Sequence, residues 1–311
     1  MKEIQFLFSG GLGNQIFQYF ASRYISQNFN NLRIEYATSK SIKKGYKNLE
    51  INQLIREQIF ISKEYNQISE KIYSKLIDYS PFLNKEFKGY IKSNLDLFNC
   101  LYCEKNIKFE DSLAILAKDL NFLMNRFKKL KIKGYWQNSN SYIDNLSFYR
   151  NLLIDTKRLI PLGISPNSYI TIHIRRGDYL SKENFGYYNT KFSPIEFILL
   201  SLQLLPDENK SKKIYLISDD KKWAHNLAYL LSGRLGYKFL ILDTKNLLED
   251  WVICRHASIN ICANSSFSYS AALLNNENLG NKLRCIIPQW INKDSSAFEK
   301  GWLNPNGFIE I

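Results

Sequence analysis

No stretch of the 311 residues approaches the roughly 18 uninterrupted apolar residues of a membrane-spanning helix. The opening Met1-Lys2-Glu3-Ile4-Gln5-Phe6 lacks the apolar core of a secretory signal peptide. These absences predict a cytoplasmic protein. Cys100-Leu101-Tyr102-Cys103 has C-x-x-C spacing, yet no second pair with zinc-ligand spacing follows. Cys254, Cys262 and Cys285 sit in apolar runs, so the cysteines read as free thiols of a reducing compartment. Helix-turn-helix, RNP and zinc-finger patterns are missing, which argues against a nucleic-acid partner. There is no internal repeat or low-complexity tract, and a hydrophobic content of 45% excludes a disordered chain.

Positive charge, by contrast, is abundant. Lysine and arginine number 42 against 29 acidic residues, a formal net charge of +13. Such a surface suits an anionic small substrate or an anionic membrane leaflet. Lysine is scattered, with local runs such as Lys128-Lys129-Leu130-Lys131-Ile132-Lys133, and a solvated basic surface accounts for most of the excess.

The chain opens with a strand from Ile4 to Phe8, a glycine-rich turn Ser9-Gly10-Gly11-Leu12-Gly13-Asn14-Gln15, and a helix from about Ile16 to Gln27. A second strand is expected near Leu32–Glu35, and Gly134-Tyr135-Trp136-Gln137 reads as another strand end. A helix then runs from Tyr142 to about Lys157. Residues 48–130 show no clean period. Pro161, Gly163 and Pro166 mark a linker, which divides the chain into 1–160 and 161–311. The second half alternates regularly. Strands at Tyr169–Ile174, Ile214–Ile217, Phe239–Leu242, Ile259–Cys262 and Cys285–Ile287 enclose helices at about Pro194–Leu205, Lys221–Ser232, Leu247–His256 and Phe267–Leu274. That alternation predicts an α/β protein of two Rossmann-like domains facing a cleft.

Ligands of such sheets bind beyond the carboxyl ends of the strands. Three polar clusters fall there: His173-Ile174-Arg175-Arg176-Gly177-Asp178-Tyr179, Ser218-Asp219-Asp220, and Asn264-Ser265-Ser266-Phe267-Ser268. Strand alternation puts His173 and Arg175 on one face and Arg176 on the other. A guanidinium offers a planar fork to phosphate oxygens and keeps its charge, so Arg175 is the candidate diphosphate ligand. Asp178 is expected to hold an arginine in place, although the cluster also fits a surface ion pair. Asn264, Ser265 and Ser266 suit both a helix cap and an anion site at a helix N-terminus. Adjacent Asp219 and Asp220 point to opposite sides of a strand, which argues against a metal site. Gly11-Leu12-Gly13 lacks the third glycine of a dinucleotide fingerprint, and Asn14 and Gln15 are expected to point into the cleft.

These motifs, from Gly10-Gly11-Leu12-Gly13-Asn14-Gln15-Ile16-Phe17-Gln18-Tyr19 through Asn264 to Ala272, resemble the α-1,2-fucosyltransferases of glycosyltransferase family 11, in the family's order. The resemblance implies a two-domain GT-B fold with the donor in the second domain and the acceptor on the side of the first. It implies GDP-β-L-fucose as donor, no required metal or cofactor, and inverting transfer to the 2-hydroxyl of a galactose-containing oligosaccharide or lipid-linked glycan. By the same resemblance Arg175 contacts the β-phosphate, and His173, Arg176, Asp178, Asn264, Ser265, Ser266 and Phe267 build the donor site. Asp250 matches an acidic position that reads the guanine, and Asn14 a position near the glycosidic oxygen. Tyr269-Ser270 stands where many bacterial members carry two tryptophans, which bears on the acceptor. The sequence does not identify a general base; Glu35, at a strand end in the first domain, is one candidate. Another GDP-sugar transferase and a non-catalytic nucleotide-binding protein are the alternative readings.

Overall fold

In the computed structural model, which describes residues 2–39, 49–57, 59, 61–65, 91–93, 99–103, 112–125, 129–137, 139–180, 190–242, 244–275, 282–289 and 305–311, the chain divides into units Met1–Asn145 and Leu146–Ile311. The first unit contains β1 (Lys2–Phe8), α1 (Leu12–Asn28), β2 (Leu32–Ser39), β3 (Ile61–Tyr65), β4 (Ile91–Ser93), β5 (Asn99–Cys103), α2 (Ser112–Leu123), β6 (Lys129–Lys133) and α3 (Ser141–Asp144). Its sheet has the order β3-β2-β1-β6-β5-β4, with β4 antiparallel to β5 and the other pairings parallel. Strand β1 is central because both of its faces are apolar enough to bury, from Ile4 to Phe8.

Two expectations need correction here. Helix α1 begins at Leu12 rather than Ile16, so the second half of the glycine-rich segment is its first turn; Gln15 N–H already donates to Gly11 O at 3.1 Å. Strand β2 continues to Ser39, which leaves Glu35 in mid-strand rather than at a strand end. Its carboxylate pairs with Arg33 at 3.3 Å and Lys129 at 3.6 Å, so Glu35 belongs to a surface charge cluster.

The second unit contains α4 (Leu146–Asn151), a 3-10 turn at Thr156–Leu159, β7 (Tyr169–Ile174), α5 (Pro194–Gln203), β8 (Lys213–Ser218), α6 (Lys221–Leu235), β9 (Phe239–Ile241), α7 (Leu247–Arg255), β10 (Ile259–Ile261), α8 (Ser266–Leu273), β11 (Cys285–Ile287) and β12 (Phe308–Glu310). The helix expected from Tyr142 to Lys157 is interrupted: Asn145 leaves the helical region, and Asp155 starts the separate 3-10 turn by accepting from Lys157 N–H. The segment 146–160 packs within this unit, where Thr156 Oγ1 lies 2.8 Å from His256 Nε2.

The parallel sheet has the order β12-β11-β10-β7-β8-β9. The first strand therefore lies in the middle, and the chain reverses direction of travel between β7 and β10. Even-numbered Ile170, Ile172 and Ile174 pack against Phe197 and Ile198 of α5 and Leu227 and Leu231 of α6. Odd-numbered residues of β7 face the other way, where His173 meets Ser268 and Phe267 of α8. Deleting a core side chain such as Ile172 costs about 2–5 kcal/mol. Local signals fix the helix ends: Ser193 and Glu196 form a capping box around Pro194, Asp220 caps α6, and Gly236 ends it at φ +69°.

Candidate functional site

Strand β7 ends between β8 and β10, so the three clusters that follow these strands share one edge. The crevice between β7 and β10 is the topological switch point, where nucleotide ligands of such sheets bind. His173, the last odd-numbered residue of β7, is buried, and its Nδ1 lies 2.8 Å from Ser268 Oγ. Its ring sits 5.1 Å from that of Phe267. Burial, with help from the Arg175 charge, pushes its pKa down to about 3, so the imidazole is neutral.

Past the strand end the two arginines part. Arg175 Nη1 lies 3.0 Å from Asp219 Oδ2, and its guanidinium sits 5.8 Å from the centroid of Tyr179. Arg176 turns toward α6: its Nε is 3.2 Å from Asp220 Oδ2, and its guanidinium lies 4.4 Å over the Trp223 ring. Asp220 also caps α6 by accepting from Trp223 N–H at 3.0 Å, which, before its bonds to Arg176, holds its carboxyl below the usual range. Asp219 Oδ1 accepts from Arg176 N–H at 2.8 Å, so one carboxylate fixes the Arg175 side chain and the backbone beside it. Gly177 makes room for this, since a Cβ there would lie 2.8 Å from Asp219 Oδ2.

The carboxylates that hold Arg175 and Arg176 are thus Asp219 and Asp220. The Asp178 side chain, expected in that role, lies outside the described residues. Cross-strand pairing explains the difference, because Ile174 is in register with Ser218 and the two following pairs face one another.

On the β10 side, Ser265 caps α8 by accepting from Phe267 N–H at 3.3 Å. The first turn of α8 presents amide groups and the positive end of the helix dipole to the crevice. Tyr179 Oη donates to Asn264 O at 2.8 Å and ties the two sides together. A pocket opens here, lined by Ile174, Arg175, Phe197, Asn264 and Pro288 among others. Asp250 lies in the first turn of α7; burial raises its carboxyl, against the opposing bond from Thr244.

The glycine-rich segment occupies the equivalent position of the first sheet, between β1 and β6. Gly10 has φ +77° and no room for a Cβ beside the Asn14 side chain. Gln15 is fully buried and bonds Gly10 O and Ile51 N–H, which makes it a brace of the turn rather than a cleft residue. Gln18 does the same between Ser9 and Gly134. Asn14 Oδ1 accepts from Gln137 Nε2 at 2.7 Å. The sequence places Asp219 and Ser268 in the polar clusters without giving either its supporting role, and Gln137 at a strand end, while Trp223 is not singled out. Position in the cluster hinted at Ser268, three residues past the cap, and the register of β7 with β8 could have found Asp219.

Sheet order, strand-end clusters and the capped helix at the switch point define the second unit as a Rossmann-type α/β domain with a candidate anion site at its carboxyl edge. The sequence profile of Glycosyl transferase family 11 matches residues 3–305, and the chain belongs to that family. It is 26% identical over 285 residues to the "Alpha-1,2-colitosyltransferase" of Escherichia coli, spanning 88% of this chain and 87% of that protein. It is 23% identical over 310 residues to "O-antigen biosynthesis glycosyltransferase WbnK" of Escherichia coli, spanning 95% and 98%. Among solved structures, POFUT1 in complex with GDP superposes with a TM-score of 0.50 at 12% identity, covering 92% of this chain and 98% of that one. At that identity the likeness concerns the fold, which is GT-B.

Proposed function

We propose that this glycosyltransferase is an inverting α-1,2-fucosyltransferase. It moves L-fucose from GDP-β-L-fucose to the 2-hydroxyl of a galactose-type acceptor in surface-glycan synthesis. The observation that carries the reading is the Arg175–Asp219 pair at the switch point, beside the N-terminus of α8. As the bond from sugar C1 to the β-phosphate oxygen breaks, negative charge grows on the phosphate and the sugar becomes oxocarbenium-like. Arg175 and the α8 amides stabilise that charge more as it develops, which lowers the barrier. The acceptor oxygen attacks C1 from the opposite face as the bond to the β-phosphate oxygen breaks, and its proton passes to solvent water.

In this reading His173, neutral and fixed by Ser268, packs against the donor without adding charge. Asn264, Ser265, Ser266 and Phe267 border the phosphates and sugar, Asp250 reads the base, and Asn14 sits near the glycosidic oxygen. Arg176 and Asp178 shape the loop. No metal ion is required, because Arg175 supplies the positive charge, while Asp219 and Asp220 are committed to arginines. The name of the Escherichia coli α-1,2-colitosyltransferase supports the α-1,2 linkage, and that of WbnK supports an O-antigen glycan as acceptor.

The test is incubation with GDP-fucose and a panel of galactose-terminated oligosaccharides, with the product linkage assigned by NMR. An α-1,2-fucosyl product supports the reading, and binding of GDP without turnover refutes it. Similarity to the α-1,2-colitosyltransferase favours one second reading, colitose in place of fucose. Competition between the two GDP-sugars separates them.

A further inference from the structure

The positive charge of the second unit is unevenly placed. At the carboxyl edge of the sheet, Arg175 and Arg176 are matched by Asp219 and Asp220. The amino edge differs. Lys212 and Lys213 lead into β8, Lys238 into β9, and Lys282 stands three residues before β11. Lys157 and Arg158 lie in the 3-10 turn whose Thr156 meets His256, at the end of α7. Backbone and side-chain bonds confirm that these pieces share one edge. Ile214 N–H donates to Lys238 O at 3.0 Å, Lys212 Nζ to Asn167 O at 3.3 Å, and Tyr237 Oη to Leu202 O at 3.3 Å. Lys212 also feels Lys282, whose charge adds to burial in lowering its pKa.

Among the described residues the acidic members of this edge are Asp155, Asp207 and Glu208. Each faces a basic neighbour, Asp155 with Arg158, Asp207 with Lys210 and Glu208 beside Lys212. The remaining lysines leave the edge strongly basic. Helices that return antiparallel to the strands end here too, and their last turns expose aliphatic side chains. Leu204 at the end of α5 is 44% exposed and Leu235 at the end of α6 is 40% exposed. Leu162, in the loop leading into β7, is fully exposed.

We infer that the amino edge of the second unit docks on an anionic lipid surface. Lysine ammonium groups reach phosphate headgroups, while Leu162, Leu204 and Leu235 enter the boundary between headgroups and acyl chains. The exposed leucines decide between anionic partners. A nucleic acid would be met by free arginines and stacking aromatic rings, whereas on this edge Arg158 pairs with Asp155, the Tyr237 hydroxyl bonds Leu202 O, and the exposed apolar side chains are leucines. The inference rests on charge placement and is independent of the donor sugar.

Co-sedimentation of the full chain with phosphatidylcholine vesicles, with and without phosphatidylglycerol, tests it. The expected result is binding to the anionic vesicles alone, weakened by salt. The Lys213→Glu/Lys238→Glu/Lys282→Glu variant should bind at least about tenfold more weakly. Leu162→Asp, in an exposed loop that tolerates change, should also weaken binding and serves if the triple variant fails to fold. Lys191→Glu/Lys222→Glu, at the carboxyl edge of the same sheet, should bind as wild type. Equal binding to neutral vesicles, an equal loss in the Lys191/Lys222 variant, or tighter binding to single-stranded RNA than to anionic vesicles would overturn the inference.

Discussion

Asp219 reaches Arg175 and Arg176 from the neighbouring strand, with Oδ2 3.0 Å from Arg175 Nη1 and Oδ1 accepting the Arg176 N–H at 2.8 Å. A flexible guanidinium at a strand end is thereby held in one orientation before any phosphate arrives. Preorganisation of this kind matters most where charge develops during reaction. Asp219→Asn keeps an acceptor for the Arg176 N–H and removes the charge. Steady-state kinetics should show kcat reduced about tenfold, equivalent to roughly 1.4 kcal/mol. The thermal midpoint should stay unchanged, and KM for the donor should change far less than kcat.

Gly177 acts through the same carboxylate. Its backbone is not in the left-handed region; the constraint is space, since a Cβ would stand 2.8 Å from Asp219 Oδ2. Gly177→Ala should lower kcat in the wild-type background. In an Asp219→Ala background the same substitution should cost nothing further, a non-additivity that a double-mutant cycle reads directly.

Acid should destabilise the protein in a defined window. His173 and His256 have pKa values pushed down to about 3 and about 4, chiefly by burial. In the unfolded chain each takes up a proton near pH 6.5. Stability contributed by the neutral rings is therefore full above that pH and is lost as pH falls toward the folded values. Each histidine contributes a slope of up to about 1.4 kcal/mol per pH unit. Urea unfolding between pH 7 and pH 4.5 should show this fall, and His256→Gln should remove about half of it.

Chelation should leave turnover intact. Asp219 and Asp220 sit where a metal-binding pair could stand, yet each is ion-paired to an arginine. Initial rates with excess EDTA should equal those with added magnesium within about twofold, since no step of the proposed reaction uses a Lewis acid.

Much of the second unit is legible in the sequence because each of its strands is an apolar run bounded by polar turns. Tyr169–Ile174 and Cys285–Ile287 coincide with their expected limits, and the three polar clusters do share one edge. Phe308–Glu310 escapes notice because a three-residue edge strand has too few residues to show a period. The start of α1 is misread because Gly11 and Gly13 suggest a loop, whereas Gln15 and Gln18 brace the turn from inside the helix. Arg175 is found from its residue type and position. Its partner is not, since Asp219 comes from another strand and only the register of β7 with β8 brings the two together.

The most direct measurement is kcat/KM of Arg175→Ala with GDP-fucose and a galactose-terminated acceptor, beside a thermal midpoint that reports on folding. Loss of a preorganised contact to the departing phosphate costs about 3 kcal/mol, so a fall of at least about a hundredfold is expected with the midpoint retained. A value within about tenfold of wild type would contradict the assignment of Arg175 to the developing charge.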